Sequence, residues 1–339
     1  MSSLALVKRI VLAGVFALSM HAASAQTLPD DSAGRPAAPA TGLNTDKVEV
    51  HEQQLLGEMR KLQGFITIPD TRAATLVQPD GRSWRDYRRG PLLWITAACV
   101  LGMLALLLVF YAVKGEIKIA GGRGTATLLR FGAFERFMHW LTAASWCILA
   151  ISGLNVVAGR AVLLPLMGND AFSLFSTWAK YSHNFLAFPF IAGIVLMFLV
   201  WLRHNIPNKI DVEWFKQGGG FIGNKHPPSE KFNGGQKVVF WIVVLGGGAL
   251  TVTGLALMFP FYVTDITGMQ LAQLAHGGVA LLMIAAMLGH IYIGSVGMEG
   301  AFDAMKDGRV DLKWAREHHS LWAAKELAKS GDTSPHPAE

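Results

Sequence analysis

Four histidines set the chemistry this sequence can do. His139, His183, His276 and His290 lie in or at the ends of long apolar stretches, and a polar ring in hydrocarbon is costly enough to need a reason. His276 and His290 share one stretch and stand fourteen residues apart. On an α-helix that spacing is about 21 Å of rise and a rotation about 40° short of four turns. The two imidazoles therefore leave nearly one face at two depths. His139 and His183 open two other stretches, so each depth can receive a second imidazole from a different helix. One ring nitrogen above and one below an iron is the ligand set of a low-spin haem b; it leaves no axial position open and suits electron transfer rather than oxygen binding. A lone intramembrane histidine serves equally as an interhelical polar contact or a proton relay. Four that sort into couples are better explained as the axial ligands of two haem b groups.

The elements that must carry these side chains are membrane spans. Of the 339 residues, 52% are hydrophobic and 16% charged, against about 45–50% and about 25% in globular chains. The long apolar runs decide the class, because several exceed the roughly 18 residues of a spanning helix. Five spans are expected, at 91–113, 137–158, 184–202, 238–259 and 271–296. Pro91 suits the first turn of its helix, and Pro189 predicts a kink or a locally re-satisfied backbone. The net charge of +6 is read through its distribution between loops, not as a nucleic-acid signal. Arg203, Lys209, Lys216, Lys225, Lys231 and Lys237 crowd one loop, and Lys114, Lys118, Arg123, Arg130 and Arg136 another. The opposite side has Arg160 and Lys180 in one loop and no lysine or arginine in 260–270. The positive-inside rule puts the rich loops in the cytoplasm. His183 and His276 then share the periplasmic level, and His139 and His290 the cytoplasmic one. The fold class is an all-α integral membrane protein: a four-helix di-haem bundle over 130–300, plus one extra N-terminal transmembrane helix.

Glycine adds a second signal. Gly153 follows His139 by fourteen residues, and Gly254 stands near the outer end of its own span. A missing side chain lets a flat macrocycle approach the backbone; small residues also let helices pack closely. Cys99 and Cys147 sit in apolar runs without a CxxC or Cys/His cluster, which argues against zinc, c-type haem or an iron–sulfur cluster. Gly218-Gly219-Gly220 is not followed by the Lys-Ser/Thr of a phosphate loop.

Residues 1–25 read as a secretory signal: Lys8 and Arg9, an apolar core from Ile10 to Met20, and the cleavage site Ala23-Ser24-Ala25. Residues 26–90 read as a periplasmic segment, partly disordered, with a short amphipathic helix near 48–63 and loops at Ile68-Pro69-Asp70 and Gln78 to Arg82. So short a segment buries little core alone and is expected to lie on a partner subunit. Residues 301–339 form a cytoplasmic tail.

Three motifs carry a resemblance. The loop with His204-Asn205-Ile206-Pro207-Asn208-Lys209, Gly223-Asn224-Lys225 and Asn233-Gly234-Gly235-Gln236-Lys237, the opening Glu135-Arg136-Phe137-Met138-His139-Trp140, and the tail motif Trp314-Ala315-Arg316-Glu317-His318-His319 resemble the gamma subunit of respiratory formate dehydrogenase over about residues 130–325. The resemblance implies a complex in the bacterial inner membrane. In it, a periplasmic molybdenum or tungsten subunit oxidises formate and an iron–sulfur subunit relays electrons. This subunit would pass them through two haem b groups to quinone. It also implies a quinone pocket beside the cytoplasmic haem, with His290, Asn233, Gln236 and Tyr292; loop capping is the other reading of Asn233 and Gln236. The signal, the 26–90 segment and the 91–113 span are extra to the short family members. The same layout occurs in cytochrome b subunits of hydrogenases and other oxidoreductases. A haem-free anchor or transporter would more naturally show repeats and broken midplane helices.

Overall fold

A computed structural model of the chain describes residues 81–220 and 226–329. The signal peptide, the helix near 48–63, the Ile68-Pro69-Asp70 loop and Gly223-Asn224-Lys225 lie outside the described residues.

Five helices are long and apolar enough to cross a membrane, with mean hydropathy of 1.7 to 2.6 over their most apolar windows. The first is approached by α1 (Gly81–Arg89) and is formed by α2 (Pro91–Lys114), with its proline in the first turn. Then come α3 (Ala133–Val162), α4 (Leu164–Trp201), α6 (Gly234–Met258) and α7 (Ile266–Gly297). A short α5 (Lys209–Lys216) lies in the loop before α6. All five expected spans are present, and most are longer than hydropathy suggested. Residues 164–183, which lie ahead of the third expected span, are helical except at Gly168. α3 and α4 form one hairpin with only Leu163 between them. The turn is made at Gly168, whose φ of 78° lies in the region that favours glycine. The backbone stays helical through Pro189, and the dihedral break in α4 is at Gly168 instead. π-helical turns interrupt α6 at Ile242–Gly246 and end α7 at Ile293–Gly297.

α3, α4, α6 and α7 form the bundle, with a spine of Trp146, Leu149, Phe190, Ile194, Leu250, Met283 and Met287. α2 buries only Thr96, whose hydroxyl donates to the Leu92 carbonyl at 2.7 Å and so needs no partner helix. α2 packs along α7, where Phe110 and Tyr111 meet Tyr292 edge to face. Its outward residues, such as Leu101, Leu106, Leu108 and Val113, are more than half exposed, as suits a helix whose other face meets lipid.

One end of the bundle carries the short connections at 163 and 259–265. The other, loop-rich end is closed by its own small core. There β1 (Thr127–Leu129) pairs antiparallel with β2 (Arg309–Asp311). α8 (Asp303–Lys306), α9 (Leu312–His318) and α10 (Ser320–Lys329) fold back on them. Phe131, Met138, Trp201, Phe232, Val310, Trp314 and Trp322 fill the space between. Arg130 is 5% exposed; it donates to the Lys231 carbonyl at 2.7 Å and stacks on Phe131 and Trp314. Burial pushes its guanidinium down to about 9, opposed by Glu135, which leaves it charged at neutral pH.

Two buried features of this cap lead to measurements. The Lys237 ammonium, 3% exposed, pairs with Asp211 at 2.9 Å and donates to the Ile206 carbonyl. Breaking a buried pair from one side leaves an uncompensated charge, at about 3–5 kcal/mol. Asp211→Ala should therefore lower the melting temperature in detergent strongly, and the double change Asp211→Leu/Lys237→Met should recover part of it. Burial, then His226 and then Arg130 hold the His318 imidazole at about 4, and burial with Arg130 holds His319 well below 6.5. Between about 4 and 6.5 the unfolded tail binds more protons than the folded one, so the tail's docking is fully stabilised above about 6.5 and weakens as pH falls towards 4. Limited proteolysis of α9 and α10 should accelerate across that window.

Candidate functional site

The bundle brings all four histidines together as two couples. His183 of α4 meets His276 of α7 with ring centroids 6.2 Å apart and ring planes at 64°. His139 of α3 meets His290 of α7 at 6.2 Å and 61°. The first couple lies towards the hairpin end and the second at the loop-rich end. Neither couple is stacked face to face, and neither is joined by a hydrogen bond.

The spacing tests whether haem fits. A metal–imidazole bond of about 2 Å, added to a ring radius of about 1.2 Å, puts two collinear axial ligands about 6.4 Å apart between centroids. Both couples, at 6.2 Å, come within about 0.2 Å of that spacing. Among the described residues no group of three or more His, Cys, Asp or Glu could hold a metal ion. Each couple thus offers two nitrogens and leaves the remaining positions of an octahedral iron to a macrocycle. The donor set fits haem b at both levels.

Hydroxyls that the sequence reading did not single out hold the first couple. Ser152 Oγ lies 2.8 Å from His183 Nδ1, and Thr253 Oγ1 lies 2.9 Å from His276 Nδ1. Each hydroxyl also donates back along its own helix, Ser152 to the Ile148 carbonyl and Thr253 to the Ala249 carbonyl, both at 2.7 Å. A hydroxyl has one hydrogen. With that hydrogen committed to the carbonyl, the oxygen accepts and the imidazole Nδ1–H donates. This fixes the tautomer and leaves the Nε2 lone pair of both rings for a metal.

The two glycines expected to admit a macrocycle stand directly after these hydroxyls, and each abuts an imidazole. A Cβ at Gly153 would lie 3.4 Å from His183 Cε1, and one at Gly254 would lie 3.2 Å from His276 Cε1. The pattern Leu149-Ala150-Ile151-Ser152-Gly153-Leu154 recurs as Leu250-Thr251-Val252-Thr253-Gly254-Leu255. In both copies the hydroxyl holds the ring nitrogen and the glycine leaves room for the ring edge. That recurrence was the signal available in the sequence.

The second couple is set differently. His139 Nδ1 is enclosed without a hydrogen-bond partner, and its ring meets Trp140 edge to face. Trp140 is anchored through its indole N–H to the Met305 carbonyl at 2.9 Å, which ties the start of α3 to the tail.

The residues named for quinone lie at the same end. Asn233 caps α6: its Oδ1 accepts from Gln236 N at 2.9 Å, and Gln236 Oε1 accepts from Asn233 N at 3.2 Å. Gln236 Oε1 also accepts from Arg130 at 3.1 Å. This reciprocal box satisfies the helix start, so the capping reading of both residues is met. Tyr292 is 9% exposed, and its Oη is enclosed without a partner. An apolar groove of about 630 Å³ runs along α6 and α7 past Trp241, Leu245, Val279 and Leu282, with the Lys237–Asp211 pair at its head. None of Asn233, Gln236, Tyr292 or the four histidines lines it.

Known proteins are similar to this chain in sequence. The family model described as prokaryotic cytochrome b561 matches residues 130–308, just over half of the chain. The cytochrome b556(fdo) subunit of formate dehydrogenase from Escherichia coli K12 is 29% identical over 200 residues, covering 58% of this chain and 92% of that one. The nitrate-inducible cytochrome b556(Fdn) subunit from the same organism is 27% identical over 207 residues, covering 58% and 89%. The formate dehydrogenase cytochrome b556 subunit of Haemophilus influenzae is 26% identical over 209 residues, covering 59% and 84%.

The glycine geometry separates the two copies of the seat. At Gly254 a methyl would meet the imidazole more tightly than ordinary contact, and at Gly153 it would only touch. Gly254→Val should remove most of one haem equivalent from the purified protein, whereas Gly153→Ala should keep both, as read by haem extraction.

Proposed function

The chain belongs to the prokaryotic cytochrome b561 family, and on that footing we propose that it is the membrane cytochrome b subunit of a formate dehydrogenase complex. Its role is to take electrons from an iron–sulfur subunit and deliver them to quinone. The observation that carries this reading is the pair of 6.2 Å histidine couples, joined through one helix by His276 and His290. The likeness to cytochrome b556 subunits of formate dehydrogenases supports the choice of complex.

When bound, haem b supplies reversible one-electron carriage. The chain's own residues do the rest. His183 and His276 present neutral Nε2 lone pairs at one level, and His139 and His290 act as the second axial pair. The apolar spine of Trp146, Phe190, Leu250 and Met283 keeps water from the space between. His290 at the end of α7, with Asn233, Gln236 and Tyr292, marks the quinone-reducing end. There the buried Tyr292 hydroxyl, lacking a protein partner, is available to a carbonyl oxygen. The basic loops support a cytoplasmic position for this end, so quinol formation takes its protons from that side. The hairpin end faces the periplasm, where the iron–sulfur subunit and a molybdenum or tungsten subunit that oxidises formate would dock. Residues 26–113, extra to the short relatives, clamp those subunits to the membrane arm.

A reduced-minus-oxidised visible spectrum of the purified complex should show b-type bands equivalent to two haems, reducible by formate in membranes. His183→Ala or His276→Ala should remove one haem's absorbance and His139→Ala the other's. Survival of both haems in all three variants sinks the assignment, and bands that formate leaves oxidised sink the choice of complex.

A further inference from the structure

The two histidine couples have the same spacing but not the same surroundings. At the hairpin end, both rings donate Nδ1–H to a hydroxyl oxygen whose own hydrogen is committed elsewhere: His183 to Ser152 at 2.8 Å and His276 to Thr253 at 2.9 Å. At the loop-rich end, His139 Nδ1 is enclosed with no acceptor among the described residues, and His290 is exposed with no serine or threonine hydroxyl on its ring among them. The difference is built into the sequence. α3 and α6 each place a hydroxyl–glycine step beside the first couple, whereas Thr142, one turn from His139, spends its hydroxyl on the Met138 carbonyl at 2.8 Å.

An acceptor on the distal N–H makes an imidazole a stronger donor to a metal and favours the more oxidised iron. We infer that Ser152 and Thr253 are positioning residues that hold the hairpin-end haem at a lower midpoint potential than the loop-rich-end haem, so that the direction of electron flow through the bundle is set by two side-chain hydroxyls. The chain brings a hydroxyl acceptor to each ring of the first couple, beside the Leu149 and Leu250 carbonyls, and no hydroxyl to either ring of the second, so the two hydroxyl contributions to the difference add. The resulting order runs downhill from the hairpin end to the loop-rich end, which is the direction the proposed function requires. The inference rests on the two-haem reading given above.

Redox potentiometry of the purified full-length holoprotein, followed at the b-type absorbance, tests it. The wild type should titrate as two components. The one missing in His276→Ala should be the lower, and the one missing in His139→Ala the higher. Ser152→Ala and Thr253→Val should each shift the lower component upward and leave the other in place. Ser152→Thr and Thr253→Ser, which restore the acceptor, should return it. An unmoved lower component in variants that keep both haems overturns the inference, and so does a wild type in which the His276-dependent component is the higher. Loss of the haem in both Ser152→Ala and Thr253→Val also overturns it, because the hydroxyls would then retain the cofactor rather than tune it. A wild type without two b-type components is a different failure, that of the two-haem reading itself.

Discussion

An imidazole inside hydrocarbon is costly unless its ring nitrogens are answered, and that constraint sets the geometry at the hairpin end. His183 and His276 meet it with a serine or threonine oxygen at Nδ1, which leaves each Nε2 free for the proposed iron. The hydroxyls can serve only because their own hydrogens return to carbonyls four residues back. The seats therefore need uninterrupted helix at 148–152 and at 249–253. Each is followed by glycine, where a Cβ would press on the ring edge at Gly254 and only touch it at Gly153. Helix regularity, the hydroxyl, the glycine and the ring form one unit, used twice.

The loop-rich end satisfies its polar groups by another route. Here the chain leaves the bundle and builds a small soluble-like core around Trp314, Trp322 and Phe131. Within it a lysine–aspartate pair, a cation stacked on aromatics and His319 are buried, with His318 half-buried beside them. The charges that mark these loops as basic in sequence are partly internal: Lys231 pairs with Glu135 at 2.7 Å, and the same Glu135 oxygen accepts from the Trp201 indole. Glu135 sits one turn before His139, so the network that closes the cap also fixes the start of the helix carrying a proposed axial ligand. Trp140 on the Met305 carbonyl does the same from the tail. The placement of His139 at this end depends on residues up to 165 positions apart, which explains why the cap and the bundle form a continuous structure.

The helix carrying His276 and His290 links the two ends. Their fourteen-residue spacing makes one rigid element contribute to both couples, so any tilt of α7 moves both together. α2 braces that helix from outside: Phe110 and Tyr111 press on Tyr292 just beyond His290. The span extra to the short relatives therefore touches the bundle beside the proposed quinone-reducing end, as well as leading towards the N-terminal segment.

Much of this was legible in the order of residues. Run length and charge placement set five spans, and helical periodicity alone paired His276 with His290 at two depths. Both are one-dimensional properties, since hydropathy is summed along the chain and the α-helix has a fixed rise and rotation. Adding the direction of each span was enough to choose the couples. Sequence order did not reveal the extent of α3 and α4. Their polar outer turns pack as a hairpin around Gly168, and hydropathy stops at the first run of polar residues. It did not reveal the hydroxyl partners either. Ser152 is thirty-one positions from His183, and Thr253 twenty-three from His276; in an apolar run a serine or threonine looks the same whether it bonds its own helix or a neighbour's ring. Nor could it separate the roles of Asn233 and Gln236 from simple capping. Sequence thus determined which side chains carry the chemistry and at what height, because those depend on counting along a helix. Tertiary structure decided what each ring nitrogen faces, because that depends on which helices touch and at what rotation.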